Sequence, residues 1–578
     1  MPELSGKNPA EIASQQALEE MFRCIRERNC FRLEAGAGAG KTYSLVKALQ
    51  LIINEEGAQF VRRHQKIACI TYTNVATDEV TRRTDGNPVV QASTIHSFCW
   101  ELCKNFQSVL RSEVINIPQL AEKIDDSGEI GSRKISYDLG YRRVTSTEIF
   151  LHHDDVLTLM LALMENSKFR RILTSRFPVL FIDEYQDTDA VFAESLIRNF
   201  IEPGSGPLIG LFGDSWQKIY RTGAGRIDHA NLHMIGKEAN FRSVSTIVNI
   251  LNRLRPDLPQ QISDPAATGS AKVYHSNGFN GQRRTGGHWG GDLPAHEAHR
   301  YLVALRDTLA NAGWDFSPQN TKILMLTHNV LAAEQHYSQI LGVFEYNDSL
   351  LKKEDPHIAF LADTVEPACA AFSARKFGEM FLAIGGKGGR LSSFAEKCDW
   401  TRDVQRLLEL RATGTIGDII DLLRDTRKPM LPDTVLRTEK KLAEATREEI
   451  DASITLRQIE RLRSVPYSEL IALSEFINDY TPFSTKHGVK GAEFENVLVV
   501  LGRGWNQYNW NQFLEWFPNR YSHNKEESYV RNRNLFYVAC SRAKRNLALL
   551  FTQELTQDAL NTLECWFGAE NISVFNPI

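Results

Sequence analysis

Ala35-Gly36-Ala37-Gly38-Ala39-Gly40-Lys41-Thr42 is the stretch on which the reading of this 578-residue chain turns. It follows the apolar run Cys30-Phe31-Arg32-Leu33 and precedes Ser44-Leu45-Val46-Lys47-Ala48-Leu49, whose apolar spacing predicts a helix. Strand, loop and helix in that order let the backbone N–H groups of small residues converge at a helix N-terminus, where a phosphate chain is held by their dipoles. Lys41 then reaches the β- and γ-phosphates, and the Thr42 hydroxyl ligates Mg²⁺. A glycine-rich turn with a surface lysine has the same pattern, so a second site has to decide.

Val179-Leu180-Phe181-Ile182-Asp183-Glu184-Tyr185-Gln186-Asp187 is that second site. Four apolar residues predict a buried strand that delivers two adjacent carboxylates to its carboxyl end, where open α/β sheets bind ligands. There Asp183 coordinates Mg²⁺ through water and Glu184 polarises the attacking water. An acidic pair after a strand also serves as a helix N-cap. Taken with the Lys41 loop, the pair points to a nucleoside triphosphatase.

A chain of this length exceeds a single core and divides into several domains. Its 42% apolar and 24% charged residues are ordinary for a globular protein, and a net charge of -4 excludes a uniformly basic coat while permitting a local basic channel. Val61-Arg62-Arg63-His64-Gln65-Lys66 and Arg531-Asn532-Arg533 are such local clusters. The nine cysteines form no Cys-x-x-Cys pair, so Cys99 and Cys103 read as reduced core thiols, not metal ligands. No apolar run reaches the about 18 residues of a membrane span. The expectation is a cytoplasmic protein with no membrane partner.

Residues 1–30 predict a helical entry containing Gln15-Gln16. Lys66 to Asn74 predicts a strand whose end carries Tyr72, Thr73 and Asn74, and Ala92 to Phe98 a second strand end with Thr94, His96 and Phe98. Both supply donors and ring faces suited to a nucleic-acid backbone and its bases, and both are also compatible with structural turns. Residues 101–154 read as a helical insert with a turn at 125–128, and 156–176 as one helix. Pro207 to Asp214 is another buried strand, followed by Ser215-Trp216-Gln217-Lys218-Ile219-Tyr220 and then by Asn240-Phe241-Arg242-Ser243. Six glycines within 276–292 predict a flexible loop, Thr321 to Asn329 a strand, and 346–479 a charged helical insert.

With Thr485-Lys486-His487-Gly488-Val489-Lys490-Gly491-Ala492-Glu493-Phe494 and Leu535-Phe536-Tyr537-Val538-Ala539-Cys540-Ser541-Arg542-Ala543-Lys544, this ordered set resembles the superfamily 1A DNA helicases of the UvrD/Rep/PcrA type. The resemblance implies an α/β fold of two RecA-like P-loop domains, parallel sheets flanked by helices, each with a mainly helical insert. The corresponding boundaries are 1–100 and 155–240 for the first motor domain around insert 101–154, and 241–345 and 480–578 for the second around insert 346–479. It also implies ATP and Mg²⁺ in the cleft and movement 3′-to-5′ on single-stranded or tailed duplex DNA.

Carried over residue by residue, the resemblance makes Arg242 and Arg542 the cations that reach the γ-phosphate when the cleft closes. Gln217 becomes its sensor, Glu493 a nucleotide ligand, and Phe241 the ring on adenine. Either Gln15 or Gln16 reads the base. Tyr72, His96, Phe98, Tyr220 and His487 fall at strand-contacting positions, and core packing is the alternative for each. Two departures stand out: Tyr43 replaces the usual arginine after the loop threonine, and Trp216 sits inside a motif whose usual tryptophan, two residues after Tyr220, is Thr222. The compact plan is similar to helicase subunits of Gabija-type anti-phage systems, which implies an OLD-family nuclease partner. A DNA-activated regulatory ATPase without processive unwinding is therefore the alternative to a helicase.

Overall fold

A computed structural model describes residues 8–577 except 128–129, 138–141, 220–221, 288, 326–333, 345–349, 351–352, 354, 386–392, 479–482, 485–491, 504–507 and 518–519, with backbone alone at 126–127 and 483–484. Its strands are β1 (Phe31–Ala35), β2 (Ile67–Thr71), β3 (Val90–Thr94), β4 (Lys134–Tyr137), β5 (Arg143–Val144), β6 (Glu148–Leu151), β7 (Val179–Asp183), β8 (Leu208–Gly213), β9 (His233–Lys237), β10 (Ala239–Asn240), β11 (Gln261–Ile262), β12 (Ser270–His275), β13 (Thr321–Met325), β14 (Phe483–Ser484), β15 (Phe494–Leu501), β16 (Ala543–Phe551) and β17 (Ile572–Val574).

β3-β2-β7-β8-β1-β9 form one six-stranded sheet and β14-β13-β15-β16-β12-β17 a second, with parallel pairings throughout both. Helices cover the faces, so the central strands read as continuous apolar runs with no alternation. In the first sheet Phe31, Phe181 and Phe212 meet edge to face at centroid distances of 5.3 to 6.1 Å. Gly210 lies between them, and a Cβ there would come within 2.7 Å of both Phe181 and Phe31. Register sets Phe31 and Phe181 level on either side of Gly210, so the segments after Ala35, Asp183 and Gly213 leave the sheet at one edge. In the second sheet, Trp510, Phe513, Phe536 and Trp566 pack beside the helices Glu526–Cys540 and Gln557–Phe567.

Several local expectations change. The segment 101–154 carries helices Gln107–Val114 and Pro118–Ser127 as expected, but also a small sheet of order β4-β6-β5. Lys134–Tyr137 and Glu148–Leu151 are too short to carry a readable period, and their pairing is a tertiary property. The turn expected at 125–128 is instead helix up to Ser127. The single helix expected over 156–176 is two, His153–Met164 and Ser167–Arg176, because the Asn166 side chain accepts from Lys168 N–H (2.9 Å) and starts a new helix.

Within 276–292 the described residues form no helix or strand, as the loop reading expects, and hydrogen bonds hold their turns. Arg284 N–H donates to the Asp292 carbonyl (2.9 Å), Gly291 N–H to the Arg284 carbonyl (3.0 Å), and Arg503 N–H to the buried Asp292 carboxylate (2.8 Å). The segment 356–477 is helical throughout its described parts, joined by short connections. The cysteines are all free, and Cys99 and Cys103 are buried, with burial pushing the Cys103 thiol up to about 12. Among the described residues no helix is long and apolar enough to cross a membrane.

Candidate nucleotide site and interdomain cleft

β1 runs straight into the glycine loop and the helix Lys41–Arg62. Gly38 (φ +75°) and Gly40 (φ +76°) adopt left-handed backbone, which glycine takes without Cβ strain. A Cβ on Gly38 would also meet Arg242 Cβ at 2.7 Å. Donors from outside occupy the loop carbonyls: the Asn240 and Gln260 side-chain amides bond Ala37 (3.0 Å each), Phe241 N–H bonds Gly38 (2.9 Å), and Lys237 Nζ bonds Gly40 (3.2 Å). The Tyr537 hydroxyl accepts from Ala37 N–H at 3.2 Å and so ties the loop to the second sheet's helix.

Lys41 Nζ lies 3.0 Å from Glu184 Oε2. Burial alone would lower the lysine pKa, but Glu184, Asp214 and Asp183 together raise it, so the ammonium stays charged. Glu184 holds a left-handed φ of +51° and also accepts from the Gln186 amide (2.6 Å). A non-glycine residue in that region carries local strain, which the surrounding contacts must hold. Asp183 is buried and accepts from Glu184 N–H at 3.0 Å. Thr42, at the second position of the helix, is partly exposed.

A buried polar chain spans the two sheets. Glu34 in β1 accepts from the Tyr185 hydroxyl (2.6 Å), Ser215 N–H (2.8 Å), Ser215 Oγ (2.6 Å) and Arg255 Nη2 (3.0 Å). Burial would raise its pKa, yet these donors and the Arg255 charge hold it below the usual carboxylate range. Arg255 ends the helix Ser245–Leu254 and also donates to Asp214 (2.6 Å). Asp214 accepts from the Gln217 amide (2.6 Å), and Gln217 Oε1 accepts from Arg542 Nη2 (3.3 Å). Arg542 is 1% exposed and further held by the Val538 and Ala492 carbonyls. Burial and the neighbouring Arg242 push its pKa down to about 9, which keeps it cationic at neutral pH.

Arg242 donates to Glu493 (2.8 Å) and to the Ser541 carbonyl (3.0 Å), and Lys544 sits 3.2 Å from the same glutamate. Phe241 and Tyr43 are exposed rings at 44% and 47%. Tyr43 has Lys47 and Lys237 over its ring at 5.5 and 5.6 Å. Lys237 is buried, bonds Ser44 Oγ at 2.7 Å, and burial pushes it down to about 8. Gln15 bonds Glu19 (2.9 Å) on the helix Pro9–Glu27, and Gln16 is exposed. Lys41, Asp183, Glu184, Gln217, Arg242, Arg542, Phe241 and Glu493 are thus joined to the loop directly or through neighbours such as Asp214, Gln186 and Asn240, whereas Gln15 bonds Glu19 on its own helix.

Tyr72 is 41% exposed and Asn74 is exposed at the edge beyond β2, where Thr73 Oγ1 caps the helix Asn74–Arg83 through Ala76 N–H (3.2 Å). Thr94 bonds Ser97 Oγ (3.0 Å), and His96 lies edge-on to His153 at 5.1 Å. Phe98 does not fit its expected role. It is 1% exposed and packs on Phe177 at 5.3 Å, because the chain turns helical at Ile95 and sends position 98 inward. Tyr220 and His487 lie outside the described residues. Trp216 is a bridge between the sheets, with Arg533 at 3.9 Å and Arg255 at 5.2 Å from its ring and Tyr537 edge-on at 5.5 Å.

The family profile described as the AAA domain matches residues 19–223, and that of the UvrD-like helicase C-terminal domain matches 431–554. Gabija protein GajB of Bacillus cereus (strain HuB5-5) is 24% identical over 687 aligned residues, covering 94% of this chain and 96% of that protein. ATP-dependent DNA helicase Rep of Escherichia coli (strain K12) is 23% identical over 622, covering 90% and 89%. The chain carries the domains of the UvrD-like helicase family. It is an ATP-hydrolysing enzyme of that family, built on two parallel-sheet domains of the RecA-like kind.

This helicase-family site also uses residues that the sequence reading did not single out: Glu34, Asp214, Arg255, Lys237, Asn240, Gln260 and Tyr537. Glu34 carried a signal, since a carboxylate inside an apolar strand has to find a cation. Arg255 and Gln260 carried none, because the bonds that tie them to β1 and the loop, to Glu34 and Ala37, follow no short-range pattern.

Two outcomes follow from the packing. Arg255→Ala removes the cation that Asp214 pairs with, leaves Glu34 with Arg32 alone at 3.6 Å, and lowers stability by about 3–5 kcal/mol, read as a shifted urea transition. Phe98→Ala costs about 3–5 kcal/mol in the same measurement. Single-strand affinity of the folded fraction stays at the wild-type value, and a selective loss of affinity without destabilisation would restore Phe98 to the DNA surface.

Proposed function

We propose that the chain hydrolyses ATP between its two parallel-sheet domains to move 3′-to-5′ on single-stranded DNA. The observation that carries this reading is the unbroken contact chain from Asp214 through Gln217 to Arg542 across the cleft. It gives one buried cation of the second domain a direct mechanical link to the strand ends of the first.

The residues fit a magnesium nucleotide. Gly38 and Gly40 take the left-handed backbone of a tight loop, Lys41 is a held cation, and Thr42 with Asp183 supplies hard oxygen donors of the kind Mg²⁺ takes. Bound Mg²⁺ neutralises phosphate charge, and the protein's share of phosphoryl transfer is positioning and electrostatics. Lys41 pairs with Glu184, so a γ-phosphate competes for the ammonium and releases the carboxylate to take the proton of the attacking water. Arg542 and Arg242 face the charge that develops on the phosphoryl oxygens. Gln217, bonded to both Asp214 and Arg542, transmits occupancy to the strand edge at Tyr72, Thr73, Asn74, Thr94 and His96. Phe241 and Tyr43 supply ring faces for the base, and Gln15 or Gln16 its polar edge.

A second reading is favoured by the match to GajB across nearly the full length of both chains. In it the chain is a DNA-activated ATPase that regulates an OLD-family-type nuclease partner in anti-phage defence, in the cytoplasm, without processive unwinding.

Steady-state ATPase with and without single-stranded DNA tests the first reading, with Glu184→Gln as the blank. We expect strong stimulation of the wild type, no turnover in Glu184→Gln with ATP binding retained, and loss of both in Lys41→Ala. Arg542→Ala should lower kcat by about 10³-fold or more while sparing nucleotide affinity. Wild-type turnover in Glu184→Gln would remove it as the base. Stimulation by DNA without displacement of a strand from a 3′-tailed duplex would favour the regulatory reading.

A further inference from the structure

At the N-terminal ends of β2 and β7, away from the nucleotide edge, an open groove of about 590 Å³ is lined by Arg63, His64, Lys168, Arg171 and Arg176, with Ile172 among them. Backbone bonds fix its shape. Lys66 N–H donates to the Arg176 carbonyl (2.9 Å) and the Gln65 amide to the Ser175 carbonyl (2.9 Å), which joins the end of the helix Lys41–Arg62 to the end of the helix Ser167–Arg176. Five residues of strand at about 3.3 Å each set this groove roughly 16 Å from the Thr71 and Asp183 ends.

Arg63, Lys168 and Arg171 are exposed, and among the described residues no carboxylate forms an ion pair with any of them. Glu101 reaches Arg176 at 4.0 Å. Helix-end electrostatics account for part of the cluster, since Arg62, Arg63 and Arg176 stand at helix C-termini where cations are favoured. They do not account for Lys168 and Arg171, in the first and second turns of Ser167–Arg176, where the macrodipole opposes positive charge. The cluster also stands against a chain of net charge -4.

The lining chemistry selects the ligand. Guanidinium forks match phosphate oxygens, and His64 is the one ring among the described lining residues, too little for a run of stacked bases. Ile172 is the single aliphatic side chain in the lining, short of the apolar centre that a protein interface buries. We propose that this groove binds the phosphodiester backbone of duplex DNA, independently of base sequence, as a second nucleic-acid site apart from the cleft. The proposal does not rest on the motor reading, because none of its residues belongs to the ATP site.

Equilibrium binding of a short blunt-ended duplex to the full chain without nucleotide, repeated over a range of KCl, tests it. Arg63→Ala/Arg171→Ala should weaken binding roughly tenfold at low salt and reduce the magnitude of the log K against log salt slope by about 2, for any duplex sequence. Arg63→Glu/Arg171→Glu should weaken it further, while both variants keep the single-strand-stimulated ATPase of the wild type. Failure of the motor reading would instead remove that stimulation from the wild type and leave the duplex result intact. Wild-type duplex affinity and slope in both variants would overturn the proposal. Loss of polyglutamate binding alone would overturn it in favour of an acidic protein surface.

Discussion

Arg255 is a buried cation, and Asp214 and Glu34, the latter also paired with the buried Arg32, are buried carboxylates. Each is tolerable in the interior because the others are there, and breaking such a set leaves an uncompensated buried charge. Arg255 comes from a helix that packs on the second sheet, whereas Glu34 and Asp214 end strands of the first. Charge compensation therefore fixes how the two halves meet, and with it where Gln217, Trp216 and Arg542 can be. The reactive groups lie around this buried set, not within it.

The same set gives the site its direction of control. Gln217 spends its amide N–H on Asp214 and its carbonyl on Arg542, so a shift of either partner is felt by the other. The glycine loop is held in a similar way: Asn240, Gln260, Phe241 and Lys237 donate to its carbonyls. Of the loop's own N–H groups, Ala37's donates to the Tyr537 hydroxyl and Ala39's to the Gly36 carbonyl, so an anion has to draw on the others or displace these bonds. Tyr537 adds a contact from the second sheet, so loop geometry and domain contact change together.

Much of this was legible in the sequence because the chemistry is local. The loop 35–42 and the pair Asp183-Glu184 each sit between a buried strand and a polar turn, and short-range spacing declares them. Phe98 misled because a strand end and the first turn of a helix look alike over four residues, and only the register of Ile95–Cys103 sends its ring inward. The glycines of 276–292 marked a loop, but composition cannot report the Asp292–Arg503 and Arg284–Asp292 bonds that hold its described residues. Arg255 and Gln260 were silent because the bonds that tie them to β1 and the loop, to Glu34 and Ala37, span 221 and 223 residues. A pairing of that range is a property of the assembled sheets.

The central claim is that Gln217 and Arg542 act as one element across the cleft. A double-mutant cycle in DNA-stimulated kcat, built from Gln217→Ala, Arg542→Ala and the double variant, measures it most directly. The account predicts a double variant much less impaired than the product of the two single losses, with a coupling of about 1 kcal/mol or more. Strictly multiplicative losses would contradict it, because two residues that act independently do not transmit cleft closure through their shared bond.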